Sequence, residues 1–467
     1  MRTRKKSLLI TMTCLLALTL TLTACGQQGQ GTTTATAAKE STTATAAAST
    51  VSNEKVTIRY WTHENPAFVE VAQKFAKDYM AANPNVTIEY ESFTDYATKF
   101  YSAMAAGTEG DIMEFYGSPI RFAKGGVLLP VADSVMTKED IEKSFFPSAL
   151  KNRLFDGKYY GIPEEINVES PGLIVNTALL KEQGVEIPQS WKDNLGPSSW
   201  SELMDLAKKL TKIENGQMKQ AGLGVVGGEE ISMFLSLIWQ MGGDYRDEAN
   251  NAVRFETKEA KDAIAYIMNL IDGPNAVHSK KFSARFDGFK EGTVAMTIGA
   301  PWATAVIDQD MPGFEYEYYN LPSFIPGSDP YFVAEGGWGQ IVSARTKYAE
   351  ESWKFVKYLT SPENSLEWSK KTGAVPSRID IANDEYYTNG AGRKVIYPAM
   401  QIVKYGRDPG TYTQDPFTLV WDIGYNNLNT ILAGQVTPDV GLANMQKDAT
   451  ALIKKLQEQK LFDDIKK

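Results

Sequence analysis

Cysteine and histidine are nearly absent from this chain, with two of each among 467 residues, at Cys14, Cys25, His63 and His278. Both cysteines precede residue 26, so the rest of the chain can form no disulfide framework and no thiolate metal site. Its stability must come from a large apolar core, for which the length is ample. The histidines are too few and too far apart to suggest a zinc site. A basic surplus is also missing. Lys and Arg number 48 against 57 Asp and Glu, a net charge of −9. No basic run stands out in the body, which argues against nucleic acid as a partner and against direct contact with an anionic membrane. No Gly-x-Ser-x-Gly elbow, His-Glu-x-x-His pair or phosphate loop occurs. The acid-rich stretch Asp244–Glu256 lacks the glycine turn and ligand spacing of an EF-hand, so it reads as a solvated loop rather than a calcium site.

What is present begins at the N-terminus. Arg2, Arg4, Lys5 and Lys6 precede a threonine-broken apolar run from Leu8 to Thr23. That run is too short and polar to span a membrane and suits a secretory signal. It ends in Leu22-Thr23-Ala24-Cys25-Gly26, which resembles the bacterial lipobox, where the cysteine carries a diacylglycerol thioether and becomes the first mature residue. From Gly26 to Thr50, eight of 25 residues are Thr and seven are Ala, with no aromatic and no large aliphatic residue. Such a segment cannot bury enough apolar surface to offset its ordering entropy. It is expected to be a disordered stalk that lets a globular body stand off a membrane.

The body starts near Glu54. Val56 to Trp61 reads as a buried strand, and Pro66 opens a helix with Phe68, Val71, Phe75 and Tyr79 on one face. Asn83-Pro84-Asn85 ends it, and Val86, Ile88 and Tyr90 alternate along a second strand. A further helix over about Asp95 to Ala106 leads into the apolar run Asp111 to Tyr116. Thr257 caps another helix. Ser361-Pro362-Glu363 opens one that Gly373 stops. Repeated βαβ units imply sheets covered by helices. About 410 residues exceed one ordinary domain. Because no Gly/Ser/Pro-rich linker divides the body, the chain should cross between two lobes more than once, leaving a cleft suited to a small molecule.

In this order the motifs resemble the family 1 extracellular solute-binding proteins, the maltose-binding-protein-like group. Trp61 with His63-Glu64-Asn65 resembles a first ligand loop, and Gly110-Asp111-Ile112 with Tyr116-Gly117-Ser118 a second. Asp156 to Pro163 with Asn176 resembles the crossing into the second lobe. Trp200-Ser201-Glu202-Leu203 echoes a helix start, with an insertion after Pro188 as a departure. The most specific stretch is Phe289 to Trp302, followed by Gly336-Gly337-Trp338-Gly339, Ala374 to Arg378 and Trp421.

The resemblance implies an α/β, two-lobed periplasmic-binding-protein fold of type II. Each lobe would be a mostly parallel sheet flanked by helices, joined by hinge strands that let the lobes close on a ligand. The division expected is a signal over 1–24 and the lipidated Cys25 with its linker over 25–53. A first lobe would comprise 54–165 and 294–345, and a second 166–293 and 346–467. The implied role is capture of a sugar, an oligosaccharide by the number of aromatic platforms, for an ABC importer. The protein would be a monomer anchored through Cys25 to the outer face of the membrane of a Gram-positive bacterium, with no chemistry done on the ligand, no cofactor and no metal.

A sugar offers an apolar C–H face for indole rings and hydroxyls for carboxylates, amides and arginine. Aromatics make up 11% of the chain, with nine Trp and 22 Tyr. Trp61, Trp302, Trp338 and Trp421 are the candidate platforms, with Tyr116 beside them. Glu64, Glu169, Glu230 and Arg378 are the candidate hydroxyl partners, and His63 either meets the ligand or caps its loop. Trp191, Trp200, Trp239, Trp353 and Trp368 read as core or packing residues. Two rivals remain: the same fold holding a polyamine or a ferric complex, and a surface-anchored carbohydrate-active enzyme. The latter needs two facing carboxylates, and 57 acids nominate too many pairs for any to count.

Overall fold

The computed structural model describes residues 55–168, 171–225, 230–271, 273–282, 286–410 and 418–458. The expected signal, Cys25, the Thr/Ala stalk and Glu169 lie outside the described residues. In chain order the first lobe is built from β1 (Val56–His63), α1 (Pro66–Ala82), β2 (Val86–Phe93), α2 (Tyr96–Ala106), β3 (Ile112–Tyr116) and β4 (Ile162–Pro163). The chain then crosses on β5 (Glu165–Val168). The second lobe holds β6 (Gly172–Asn176), α3 (Trp200–Leu210), α4 (Glu230–Gln240), α5 (Lys258–Ile271), β7 (Met296–Ile298), α6 (Pro301–Asp310) and β8 (Tyr316–Asn320). It returns on β9 (Phe332–Glu335) to β10 (Trp338–Val342), α7 (Ala349–Leu359) and α8 (Pro362–Thr372). Finally β11 (Val375–Pro376) and β12 (Gly406–Arg407) lead to the long α9 (Pro438–Glu458).

Local chemistry accounts for the elements. In α1 the Asn65 side chain accepts from the Ala67 N–H, Pro66 takes the first helical position, and Phe68, Val71, Phe75 and Tyr79 are buried on one face. Asp95 caps α2, and Gly107 ends it in the left-handed region. Ser361 caps α8, and Gly373 at φ 70° stops it. The Thr257 hydroxyl accepts from the Ala260 N–H at 3.2 Å, opening α5.

The first-lobe sheet has the order β2-β1-β3-β10-β4. β1 runs parallel to β2 and β3, whereas β10 is antiparallel to both β3 and β4. In the second lobe β7 and β8 flank β6, each antiparallel to it. Ala221 and Gly224 bridge in parallel to Val294 and Thr297, so in the second lobe, as in the first, the strands share one direction except for the one that crosses from the other lobe. The strand arriving from the other lobe enters from the opposite end and runs against its neighbours, as β6 does there and β10 does in the first lobe. A third sheet, β11-β5-β9-β12, collects the crossing strands.

The expected segment boundaries need correction. The span 294–345 does not belong to the first lobe as a whole: β7 and β8 pair with β6, and Ala303 and Ile307 of α6 pack with Ile174. Conversely, Trp353, Phe355, Val356, Leu359 and Trp368, inside 346–467, sit in the first-lobe core with Val56, Ile58 and Phe75. Leu442, Met445 and Ala449 of α9 pack in the second-lobe core with Trp191, Trp239 and Ile264. Among the described residues no helix is long and apolar enough to cross a membrane.

Candidate functional site

A cavity of about 420 Å³ opens where the lobes meet, within the range of about 300–1,000 Å³ typical of ligand sites. Three sources build its wall. The end of β1 and the start of α1 bring His63, Asn65 and Phe68, and β10 and α8 add Trp338, Lys371 and Thr372. The crossing strand β5 supplies Glu165, Ile166, Asn167 and Val168 as the floor. From the second lobe, α6 presents Pro301, Trp302, Ala305, Val306 and Gln309. The two half-buried indoles thus come from opposite lobes: Trp338 from the first residue of a strand, and Trp302 from the first turn of a helix opened by Pro301.

Trp338 does not stand alone. The His63 ring lies flat against it, centroids 4.0 Å apart and planes within 6°. Tyr116 meets Trp338 edge-on at 5.2 Å, and Asn167 donates to the Tyr116 hydroxyl. Gly337, at φ 59°, lets the β9–β10 connection pass close to β5; a Cβ there would stand 2.8 Å from Glu165. Trp302 packs partly on the cluster of Phe289, Ile307 and Tyr316.

Beneath this wall lies a buried polar layer. Glu114, fully buried in the middle of β3, accepts at Oε2 from the His63 backbone N–H (3.1 Å) and meets His63 Nδ1 at 2.6 Å. Burial pulls the imidazole pKa down, but the charge and hydrogen bond of Glu114, with Glu165 behind them, raise it overall. Glu164 lies in the bend between β4 and β5. Burial first, then the neighbouring Glu114 charge, pushes its carboxyl far above the usual carboxylate range, against a hydrogen bond from Gln340 Nε2 at 2.8 Å. The same Gln340 nitrogen lies 3.0 Å from the Tyr60 hydroxyl. Burial moves the Arg153 guanidinium down to about 10, with Glu164, Asp408 and Glu165 opposing. Arg153 donates to the Gly337 carbonyl at 3.1 Å, fastening the first lobe to the crossing.

The model of the bacterial extracellular solute-binding proteins matches residues 65–365, more than half of the chain. The chain belongs to this family. A maltotriose-binding protein of Pyrococcus abyssi is 25% identical over 350 residues, 74% of this chain and 71% of its own length. A multiple sugar-binding protein of Streptococcus mutans is 24% identical over 328 residues, 67% of this chain and 73% of its own length. Among solved structures, the acarbose-binding GacH receptor of Streptomyces glaucescens superposes with a TM-score of 0.69 at 24% identity, covering 86% of this chain and 99% of that one. The maltodextrin-binding domain of Bdellovibrio bacteriovorus bound to maltotriose gives 0.66 at 21%, with 85% and 100% covered. Extracellular solute-binding proteins are binding proteins acting outside the cytoplasm, and the two-lobed α/β architecture is theirs.

The residues singled out from sequence divide sharply. His63, Trp302 and Trp338 line the cavity, and Tyr116 supports Trp338 from behind. Trp61 is a correction: 3% exposed, it is wedged in the first-lobe core, with Phe93 edge-on at 5.0 Å and Lys99 Nζ 4.8 Å from its ring centre. It shares a face of β1 with His63 but lies two residues deeper, under α2. Glu64 is exposed and accepts from the Thr94 hydroxyl, away from the cavity. Arg378 is structural as well: buried, it donates to Asp380 and to the Thr360 carbonyl (2.8 Å) and lies over Phe145. Glu230 is buried in the first turn of α4. Trp421 is half-buried against the second-lobe core. Neither lines this cavity, and each borders a segment outside the described residues, 226–229 and 411–417.

Glu114, Asn167, Gln309 and Lys371 were not anticipated. Glu114 had a readable signal, a carboxylate inside the apolar run Ile112 to Tyr116. Within Asp244–Glu256, Asp244 pairs with Arg246 at 2.8 Å, and Asp247 meets Arg254 and Asn250. Among the described residues no group of three or more His, Cys, Asp or Glu is placed to hold a metal ion.

Proposed function

We propose that this family member captures a sugar, an oligosaccharide, in the interlobe cleft and delivers it to an ABC importer. The observation that carries the reading is the pair of indoles, Trp302 and Trp338, entering one 420 Å³ cavity from opposite lobes with Asn167, Glu165 and Gln309 among them. Indole faces suit the C–H surface of pyranose rings, and amides and carboxylates suit hydroxyls. Closing two lobes on such a ligand would bury it and mark the loaded state for a permease. The similarity to maltotriose- and multiple-sugar-binding relatives supports the same ligand class. The lipobox-like Leu22 to Gly26 and the Thr/Ala stretch behind it support attachment through Cys25 to the outer face of the membrane.

The test is a thermal-shift screen against maltotriose, mannobiose, monosaccharides, spermidine, glycerol 3-phosphate and ferric chelates. A bound ligand stabilises by mass action. Stabilisation by oligosaccharides is the expected result. A response only to spermidine or a ferric complex, or hydrolysis of the glycan, would refute the reading.

A further inference from the structure

One carboxylate oxygen takes both hydrogen bonds that His63 directs inward, from its backbone N–H and from Nδ1. The ring is also clamped by Trp338 on one face and by the edge of Phe68 at 4.9 Å. Nε2, by contrast, makes no hydrogen bond among the described residues, although the side chain is 17% exposed on the cleft wall. A ring held so tightly at one nitrogen and open at the other is built to present that second nitrogen.

We propose that Glu114 is a positioning residue that holds His63 as a cation, so that Nε2–H projects into the cleft as donor to a ligand oxygen and capture weakens as the solution turns alkaline. This rests on the cleft being the ligand site.

The surroundings favour the cation. Glu114 touches Nδ1, and Glu165 of β5 faces the ring from the cleft floor. Trp338 offers an electron-rich face to a positive ring. Other groups do not cancel these. Lys371 on α8 is half-exposed and engaged with Glu70 at 3.2 Å. Arg153 is turned toward the Gly337 carbonyl and Asn152. Burial, then the neighbouring Glu114 charge, pushes the Glu164 carboxyl well up, and burial raises the Tyr60, Tyr90 and Tyr96 hydroxyls. A charged donor to a ligand oxygen is about twice as strong as a neutral one.

With only two histidines, ring ¹⁵N–¹H spectra of the full chain read His63 directly, and His63→Gln assigns its signals. The ring should keep Nδ1 protonated throughout. It should lose the Nε2 proton at a pH about 1 unit or more above that in Glu114→Gln, as expected for removal of an adjacent opposite charge. Affinity for maltotriose or mannobiose should fall about tenfold between about pH 6 and pH 9. In His63→Gln it should be flat over that range. A wild-type ring titrating no higher than in Glu114→Gln, or a His63→Gln protein keeping the wild-type pH profile, overturns the proposal. If Glu114→Gln does not fold, the His63→Gln profile and the wild-type ring titration decide. If no sugar binds at any pH, the sugar reading fails, while the ring titration of the apo protein still tests the role of Glu114.

Discussion

Replacing Trp302 with alanine removes the one platform that the second lobe brings to the described cleft. An aromatic side chain offers about 150–250 Å² of burial. Trp302 already spends part of its surface against Phe289, Ile307 and Tyr316, so roughly 100 Å² remains for a ligand ring. At about 25 cal/mol per Å² this is worth ~2.5 kcal/mol, of which an alanine methyl retains a little. The expected net loss is about 2 kcal/mol, or about thirtyfold in Kd. Folding should also suffer, but by about 2 kcal/mol rather than the ~3–5 of a fully buried Trp→Ala change, because the ring is only half-buried. Isothermal titration with the oligosaccharide that emerges from the screen measures the affinity, and circular dichroism establishes that the variant is folded at the assay temperature. Trp302→Phe, which keeps a flat apolar face, should recover most of the loss. A folded Trp302→Ala protein whose Kd changes by less than about threefold would show that this indole is not a ligand platform.

Other substitutions separate framework from site. Arg378→Met keeps the buried stem but strips the Thr360 carbonyl of its donor and frees Asp380 into water, so denaturant unfolding should show a loss of about 1–3 kcal/mol with affinity unchanged. Gly337→Ala forces a side chain into φ 59° against Glu165; it should cost at least about 1 kcal/mol and also weaken binding, because the strain sits in a crossing between the lobes. Glu164→Gln probes the buried acid. The folded pKa lies above the unfolded value near 4.5, so the native state holds the extra proton, and its contribution is complete below that value and lost as pH rises toward the folded pKa. Glu164→Gln should therefore match wild type in melting temperature at about pH 4.5 and become progressively more stable than it toward pH 8. A constant difference across that range would refute the assignment.

Part of the candidate cleft was legible because its wall rests on local motifs. Trp302 follows a strand and a Pro-opened helix start within one continuous stretch, so its place on the cleft wall comes with the turn that makes it. Trp338 follows the Gly-Gly connection whose close approach only glycine allows. Trp61 misled because strand alternation puts it on the same face as His63, and only the packing of α2 separates the covered position from the open one. Arg378 looked ligand-facing until Asp380, two residues on, and the distant Thr360 carbonyl claimed its donors.

By itself the sequence determined the periodic elements, their caps and their breaks, since each depends on residues within a turn or two of one another. Helices α1, α2, α5 and α8 begin at capping residues the sequence displays. Only the tertiary structure decided which lobe each element joins and what stands behind each cleft residue. Gln340 opposite Glu114, Asn320 opposite Gly172 and His63 flat on Trp338 are pairings between residues far apart in the chain. No local pattern encodes them, because they depend on the direction in which each crossing strand enters a sheet and on the shape of the core that receives it.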